Sequence, residues 1–203
     1  SSNKRSVQTQ MTEKREHGSD ICPDLSAEQN LNPRVTGDGS CAAIALGGNL
    51  GNSQKILTEA IAVLDYAPCL RVVARSHFYK PAPIGPPHPD YLNACILIET
   101  TLRPRSLLHR LLAAENQFGR VRQVRWGARS LDLDLLLYGD QVVDTLGLSV
   151  PHPRLHERAF VLVPLMDIAP DWPHPIFRKT VSQLLEQLSI SGGERMVPVP
   201  SNP

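Results

Sequence analysis

The chain is predicted to fold as an α+β sandwich of the ferredoxin-like type, and three observations carry that prediction. Apolar runs with strand patterning alternate with segments of helical period in the order strand, helix, strand, strand, helix, strand. A βαββαβ order lets both helices pack on one face of a single sheet. The size suits one such domain, since 203 residues, 41% hydrophobic, can fill one sizeable core.

Each element has its own signal. Residues 1 to 40 hold no aromatic residue and no sustained apolar period, so a disordered tail is expected there, ahead of a domain over 41–190 and a flexible tail over 191–203. CAAIAL (41–46) reads as a buried strand and GGNLGN as a tight turn. Ser53 reads as the cap of a helix that carries Ile56, Leu57, Ala60, Ile61 and Leu64 on one face. LRVVARSHFY (70–79) is the second strand, the proline-dense KPAPIGPPHPD a stiff extended loop, and YLNACILIET (91–100) the third strand. Leu107, Leu108, Leu111 and Leu112 set a helical period over 106–118, and LDLDLLLY supplies the fourth strand. Further helices are expected around 157–169 and 180–188.

Composition narrows the function classes. A formal net charge of +1 exerts no general pull on nucleic acid or membrane, so anion binding has to come from local clusters. Cys22, Cys41, Cys69 and Cys95 are widely spaced with no C-x-x-C pair, which predicts reduced thiols and a cytoplasmic protein. No run reaches the ~18 apolar residues of a membrane span.

The chemistry concentrates in RWGARSLDLDLLLYG (125–139). Side chains alternate along a strand, so Leu131, Leu133, Leu135 and Leu137 are predicted to face the core while Asp132 and Asp134 share the opposite face, ~6.5 to 7 Å apart. Two carboxylates at that spacing suit two Mg²⁺ ions and a phosphoryl group. Alone, a D-x-D pair reads first as the solvated face of a half-exposed strand. The neighbours alter that reading: Arg120, Arg122, Arg125 and Arg129 fall within ten residues that hold no acid. Such guanidinium groups repel one another when empty and match polyphosphate oxygens in bidentate geometry. The loops 80–90 and 119–130 are accordingly expected to be mobile when empty and to close over ligand.

Tyr91 and Asn93, two apart on a strand, offer a stacking ring beside an amide that can read ring nitrogens. His152, between prolines and near Arg154, is placed to donate to a phosphate. A small RNA-binding module is the non-enzymatic rival, but CAAIAL and ACILIE lack the aromatic platform such sheets use. A D-x-D sugar-nucleotide transferase is the rival enzyme, and its usual domain is larger than this chain.

In order along the chain, IALGGNLGN, SHFYKPAPIGP, PDYLNAC, FGRVR, RWGARSLDLDLLLYG and SVPHPRLHERAFVLVPL resemble the 6-hydroxymethyl-7,8-dihydropterin pyrophosphokinase family of folate biosynthesis over about residues 41 to 188. The resemblance implies an ATP-dependent pyrophosphokinase (EC 2.7.6.3) in which the pterin hydroxymethyl oxygen attacks the β-phosphorus of ATP and AMP leaves. It implies two Mg²⁺ at Asp132 and Asp134, with Arg120, Arg129 and Asp134 as the catalytic groups and Asp134 as a candidate acceptor of the hydroxyl proton. ATP contacts are implied at Glu115, Arg120, Arg122, Arg125, Trp126, Arg129, Leu135 and His152. Pterin contacts are implied at Pro81, Ala82, Ile84, Tyr91, Asn93, Trp126, Arg158 and Phe160, with the ring held between Tyr91 and Phe160. A monomer without nucleic-acid or membrane partners completes the expectation. Ala128, Gly147 and Pro153 depart from residues common in the family and bear on loop behaviour and nucleotide affinity.

Overall fold

The structure, a computed structural model, describes residues 39–49, 53–82, 91–119 and 131–200. Of the expected N-terminal tail, residues 1–38 lie outside them, and Ser40 belongs to the first strand. β1 (Ser40–Asn49) leads into α1 (Ser53–Tyr66), then β2 (Leu70–Arg75), β3 (Tyr79–Pro81) and β4 (Tyr91–Thr100). α2 (Pro104–Gly119), β5 (Asp132–Tyr138), β6 (Val143–Thr145) and β7 (Leu148–Val150) follow. A 3-10 turn over Leu155–Glu157 precedes α3 (Ala159–Ile168), α4 (Val181–Ile190) and β8 (Met196–Pro198).

The main sheet runs β5-β1-β4-β3-β8, with β2 also on β4, and its neighbours are antiparallel. This is the ferredoxin-like order, in which β1 sits centrally. β1 is longer than the predicted strand and takes in Gly47, Gly48 and Asn49, because β4 pairs with it as far as Asn49 opposite Tyr91. The ladder to β4, joined at Gly47 by that to β5, outweighs the glycines' weak strand preference.

The second predicted strand is split. Cys95 exchanges backbone bonding with Ser76 on both atoms: its carbonyl accepts the Ser76 N–H at 2.9 Å, and its own N–H donates to Ser76 Oγ at 2.9 Å. A side-chain oxygen thus replaces the ladder carbonyl, and the chain leaves β4 as β2 to return as β3.

One sheet face is covered by the first two helices. Ile44, Leu46, Ile96 and Ile98 pack there with Leu57, Ile61 and Leu64 of α1 and Leu107 and Leu111 of α2. At roughly 1.5 to 3 kcal/mol per buried aliphatic side chain, this layer supplies much of the driving force. The other face is covered as well: Ala43, Ala45, Cys95 and Leu97 meet Val161, Leu162 and Leu165 of α3 and Leu184 of α4. The later helices therefore form a third layer. Thr180 starts α4 with a capping box, its Oγ accepting the Gln183 N–H while Gln183 Oε1 accepts the Thr180 N–H.

Three expectations change. Leu137 packs toward α3 rather than with Leu131, Leu133 and Leu135, since a bulge between Ala43 and Ile44 of β1 shifts the register and turns the end of β5 over. Residues 196–198, expected in a flexible tail, pair with β3. Cys69 is disulfide-bonded rather than reduced, whereas Cys41 and Cys95 are free thiols. Burial, with Glu99 adding, pushes the Cys41 thiol up to about 11, and burial also pushes Cys95 up, so both are poor nucleophiles near neutrality.

Candidate active site

Directly opposed residues of a sheet share a face, and the registers draw one row across four strands. Asp132 of β5 stands opposite Gly47 of β1, Gly47 opposite Asn93 of β4, and Asn93 opposite Tyr79 of β3. The next row carries Asp134, Ala45 and Cys95, and the outer row carries Asn49 and Tyr91. Asp132, Asp134, Tyr91 and Asn93, from strands far apart in the chain, thus converge on one end of one face. Both carboxylates are half-buried, and the residues opposite them are the small Gly47 and Ala45.

Gly47 is a site residue that sequence reasoning placed in a turn. A Cβ built there would overlap the Tyr91 hydroxyl oxygen, so the ring reaches across β1 through the gap the missing side chain leaves. Burial raises the Tyr91 hydroxyl's pKa, the Asp132 and Asp134 carboxylates and a hydrogen bond to Asp132 add to it, and Arg158 opposes them. Those influences put Tyr91, both aspartates and Arg158 within electrostatic reach. Cys41, Ala43, Ala45 and Gly47, small residues at period two, are the sequence signal that could have marked this bare track.

Arg158 and Phe160 open α3. The Arg158 guanidinium lies over the Phe160 ring, 5.4 Å from its centroid, and Phe160 is half-buried. His152 follows β7, its N–H donating to the Leu136 carbonyl at 2.8 Å. Its Nδ1 accepts the Arg154 N–H at 3.1 Å, which assigns the ring proton to Nε2 and makes that nitrogen a donor. Burial holds the imidazole's pKa below its ordinary value, Arg158 and Arg154 act the same way, and Asp134 opposes them. Arg154 is engaged on the surface with Glu157, Nε to Oε2 at 3.3 Å.

Pro81 and Ala82 are half-buried at the end of β3, whose position depends on an anchor beneath it. The Tyr79 hydroxyl reaches both Asp167 oxygens at 2.9 Å, and the His77 N–H donates to Asp167 Oδ2 at 3.1 Å. Burial first, then the bond to Asp167, pushes Tyr79 up to about 12.

Two expected ATP contacts, Glu115 and Leu135, lie on α2 and β5. Glu115, on α2, accepts the Leu133 N–H at 2.6 Å and so caps the outer edge of β5. Leu135 is buried among α1 and α2, on the face opposite the aspartates. Its neighbours Leu131 and Leu133 share that cluster, which leaves only its backbone toward a nucleotide. Ile84, Arg120, Arg122, Arg125, Trp126 and Arg129, and with them the expected loop closure, lie outside the described residues.

Residues 43–170 match the family model described as 7,8-dihydro-6-hydroxymethylpterin-pyrophosphokinase (HPPK). The chain is 46% identical over 147 residues to the 2-amino-4-hydroxy-6-hydroxymethyldihydropteridine pyrophosphokinase of Synechocystis sp., covering 72% of this chain and 75% of that one. It is 43% identical over 149 residues to the enzyme of the same name from Haemophilus influenzae, covering 73% and 92%. Among solved structures, Plasmodium falciparum HPPK-DHPS with pteroate superposes with a TM-score of 0.58 at 14% identity, covering 73% of this chain and 42% of the other. That likeness bears on the fold alone, and the chain spans about two fifths of the Plasmodium protein. Family match and sequence identity agree: the chain belongs to the 7,8-dihydro-6-hydroxymethylpterin-pyrophosphokinase family.

Proposed function

We propose that the convergent face of β1, β4 and β5 binds ATP and 6-hydroxymethyl-7,8-dihydropterin side by side and carries out the family's pyrophosphoryl transfer. The pterin hydroxymethyl oxygen attacks the β-phosphorus, the bond from that phosphorus to the α-phosphate oxygen breaks, AMP leaves, and the hydroxyl proton is released. The observation that carries this reading is the row from Asp132 through Gly47 to Asn93, which sets a carboxylate beside a pterin-sized amide and ring across one bare strand.

The donor set fits Mg²⁺. Among the described residues no group of three or more His, Cys, Asp and Glu could hold a metal. A pair of half-exposed carboxylates that leaves the remaining positions to water and phosphate is the usual way this ion is bound. Asp132 and Asp134 would hold two ions, which supply charge neutralisation to the phosphate oxygens. The chain's own residues do the rest. Asp134 is the candidate acceptor of the hydroxyl proton, and the Nε2–H of His152 donates to a phosphate oxygen. Tyr91 and Phe160 cover the two faces of the pterin, Asn93 reads its ring edge, and the Pro81 and Ala82 backbone completes the recognition. Arg120 and Arg129 neutralise charge on the transferring group, with Arg122, Arg125 and Trp126 beside them. Positioning and fixed charge thereby account for most of the acceleration.

The expected cytoplasmic monomer is part of this proposal. No helix among the described residues is long and apolar enough to cross a membrane. The free thiols of Cys41 and Cys95 support the cytoplasmic reading. The reaction is tested by incubating the protein with ATP, Mg²⁺ and the pterin alcohol. AMP is expected in proportion to pterin consumed, and ADP as the main nucleotide product would refute the assignment.

A further inference from the structure

β3 is held mainly from its outer side. Toward β4 it is registered by one residue pair, Tyr79 with Asn93. Toward β8 it is registered by three: Tyr79 with Pro198, Lys80 with Val197, and Pro81 with Met196. Flanking bonds extend that ladder, the Val199 N–H donating to the Phe78 carbonyl at 2.8 Å and the Ala82 N–H to the Arg195 carbonyl at 2.8 Å. The C-terminal segment therefore carries the chain from Phe78 to Ala82 after it has left β4.

In an antiparallel ladder the backbone groups of successive residues point to opposite neighbours. Phe78 and Ala82 bond to the C-terminal segment, so the intervening alternation turns the Pro81 carbonyl the other way, toward the side of Tyr91 and Asn93. Pro81 has no N–H to leave unpaired there. Side chains make a second connection. Met196 is 9% exposed and shares a small apolar cluster with Tyr79 and Ala159, and Phe160 packs against that cluster. One short strand is thus joined to the Pro81–Ala82 backbone and to the turn that presents Phe160.

We infer that β8 is a positioning element for pterin recognition: its ladder and the Met196 side chain set the gap between the Pro81–Ala82 backbone and Phe160 into which the ring fits. The inference rests on the pterin-binding reading above. The sheet order makes the effect selective, because β5, which bears Asp132 and Asp134, lies at the opposite end of the sheet from β8.

The test uses the full chain with Met196→Ala and Met196→Leu, and a third variant ending at Gly192. Dissociation constants for the pterin and for a non-hydrolysable ATP analogue are measured by calorimetry, and KM and kcat by AMP release. Met196→Ala is expected to raise the pterin dissociation constant and KM about tenfold while the ATP values and kcat stay within about twofold, and the shortened chain to exceed that loss. Met196→Leu, close in volume, is expected to restore wild-type pterin binding. Pterin binding within about twofold of wild type in Met196→Ala overturns the inference, as does an equal loss of pterin and ATP affinity, which would mark a general loosening of the fold. Should the shortened chain fail to fold, the two Met196 variants decide. A wild-type protein that bound no pterin would instead remove the reading beneath it.

Discussion

Gly47→Ala perturbs the site at the point where the strands converge. The new Cβ would overlap the Tyr91 hydroxyl oxygen and lie 3.1 Å from Cζ and 3.4 Å from Cε1. Carbon pairs are comfortable at about 3.5 to 4.0 Å, so Tyr91 has to swing away. The clash falls on the far end of a side chain with two rotatable bonds, and the backbone pairings of Gly47 with Asn93 and Asp132 do not oppose the move. Stability should therefore fall by about 1 kcal/mol, the low end for overpacking, or roughly 2 to 4 °C in Tm for a chain of this size. Pterin binding should suffer more selectively. Misplacing one aromatic partner forfeits about 0.5 to 1.5 kcal/mol of ring stacking, a roughly two- to tenfold rise in the pterin dissociation constant. Calorimetry with the pterin and an ATP analogue, beside a thermal melt, separates the two effects. Tyr91→Phe removes the atom that clashes most, so the pair Gly47→Ala with Tyr91→Phe should bind the pterin better than the two single effects would sum to. Wild-type pterin affinity in Gly47→Ala, or strict additivity in the double variant, would refute the argument that the ring is seated by the missing side chain.

Two further outcomes are expected. Asp132→Ala and Asp134→Ala should each lower kcat by about a thousandfold or more while leaving the melting temperature within a few degrees, since both side chains are half-exposed and pack little; near-normal turnover in either variant would rule out the metal-site reading. His174 should make the fold acid-sensitive: it is buried, and its Nδ1 accepts the Ile176 and Phe177 N–H groups at 3.2 and 3.1 Å. Burial first, and the nearby His156, hold its pKa below the ordinary 6.5. The unfolded chain then binds the extra proton more readily, so stability is full above about 6.5 and falls as pH drops through that value toward the lower folded pKa. His174→Asn, which keeps an acceptor at the Nδ1 position without titrating there, should flatten Tm against pH between about 5 and 7, and an unchanged slope would show that another group is responsible.

Much of the molecule was legible in the sequence because it depends on local periodicity. The four core strands, the four helices and the face shared by Asp132 and Asp134 follow from side-chain spacing along one element, and such spacing is a property of the chain wherever it folds. Ser53 marked the start of α1 by the same local logic, a polar residue ahead of an apolar helical period.

Other features were settled only in three dimensions, because they depend on which residues meet across strands. Gly47 looked like turn material until β4 and β5 paired on either side of it, and its function as the open track beneath Tyr91 exists only in that register. Leu135 and Glu115 were placed against a nucleotide by resemblance, and only the tertiary structure shows that the Leu135 side chain packs in the α1–α2 layer and that Glu115 accepts the Leu133 N–H at the edge of β5. Leu137 changed face through a bulge that no single strand encodes. Residues 196–198 carry too short an apolar pattern to announce a strand, and they became one because β3, pulled off β4 by Ser76, presented an edge whose backbone groups needed partners. Local periodicity thus determined which elements form and which residues share a face, while register, edges and bulges, which are pairwise properties of distant segments, decided which of those faces became the site.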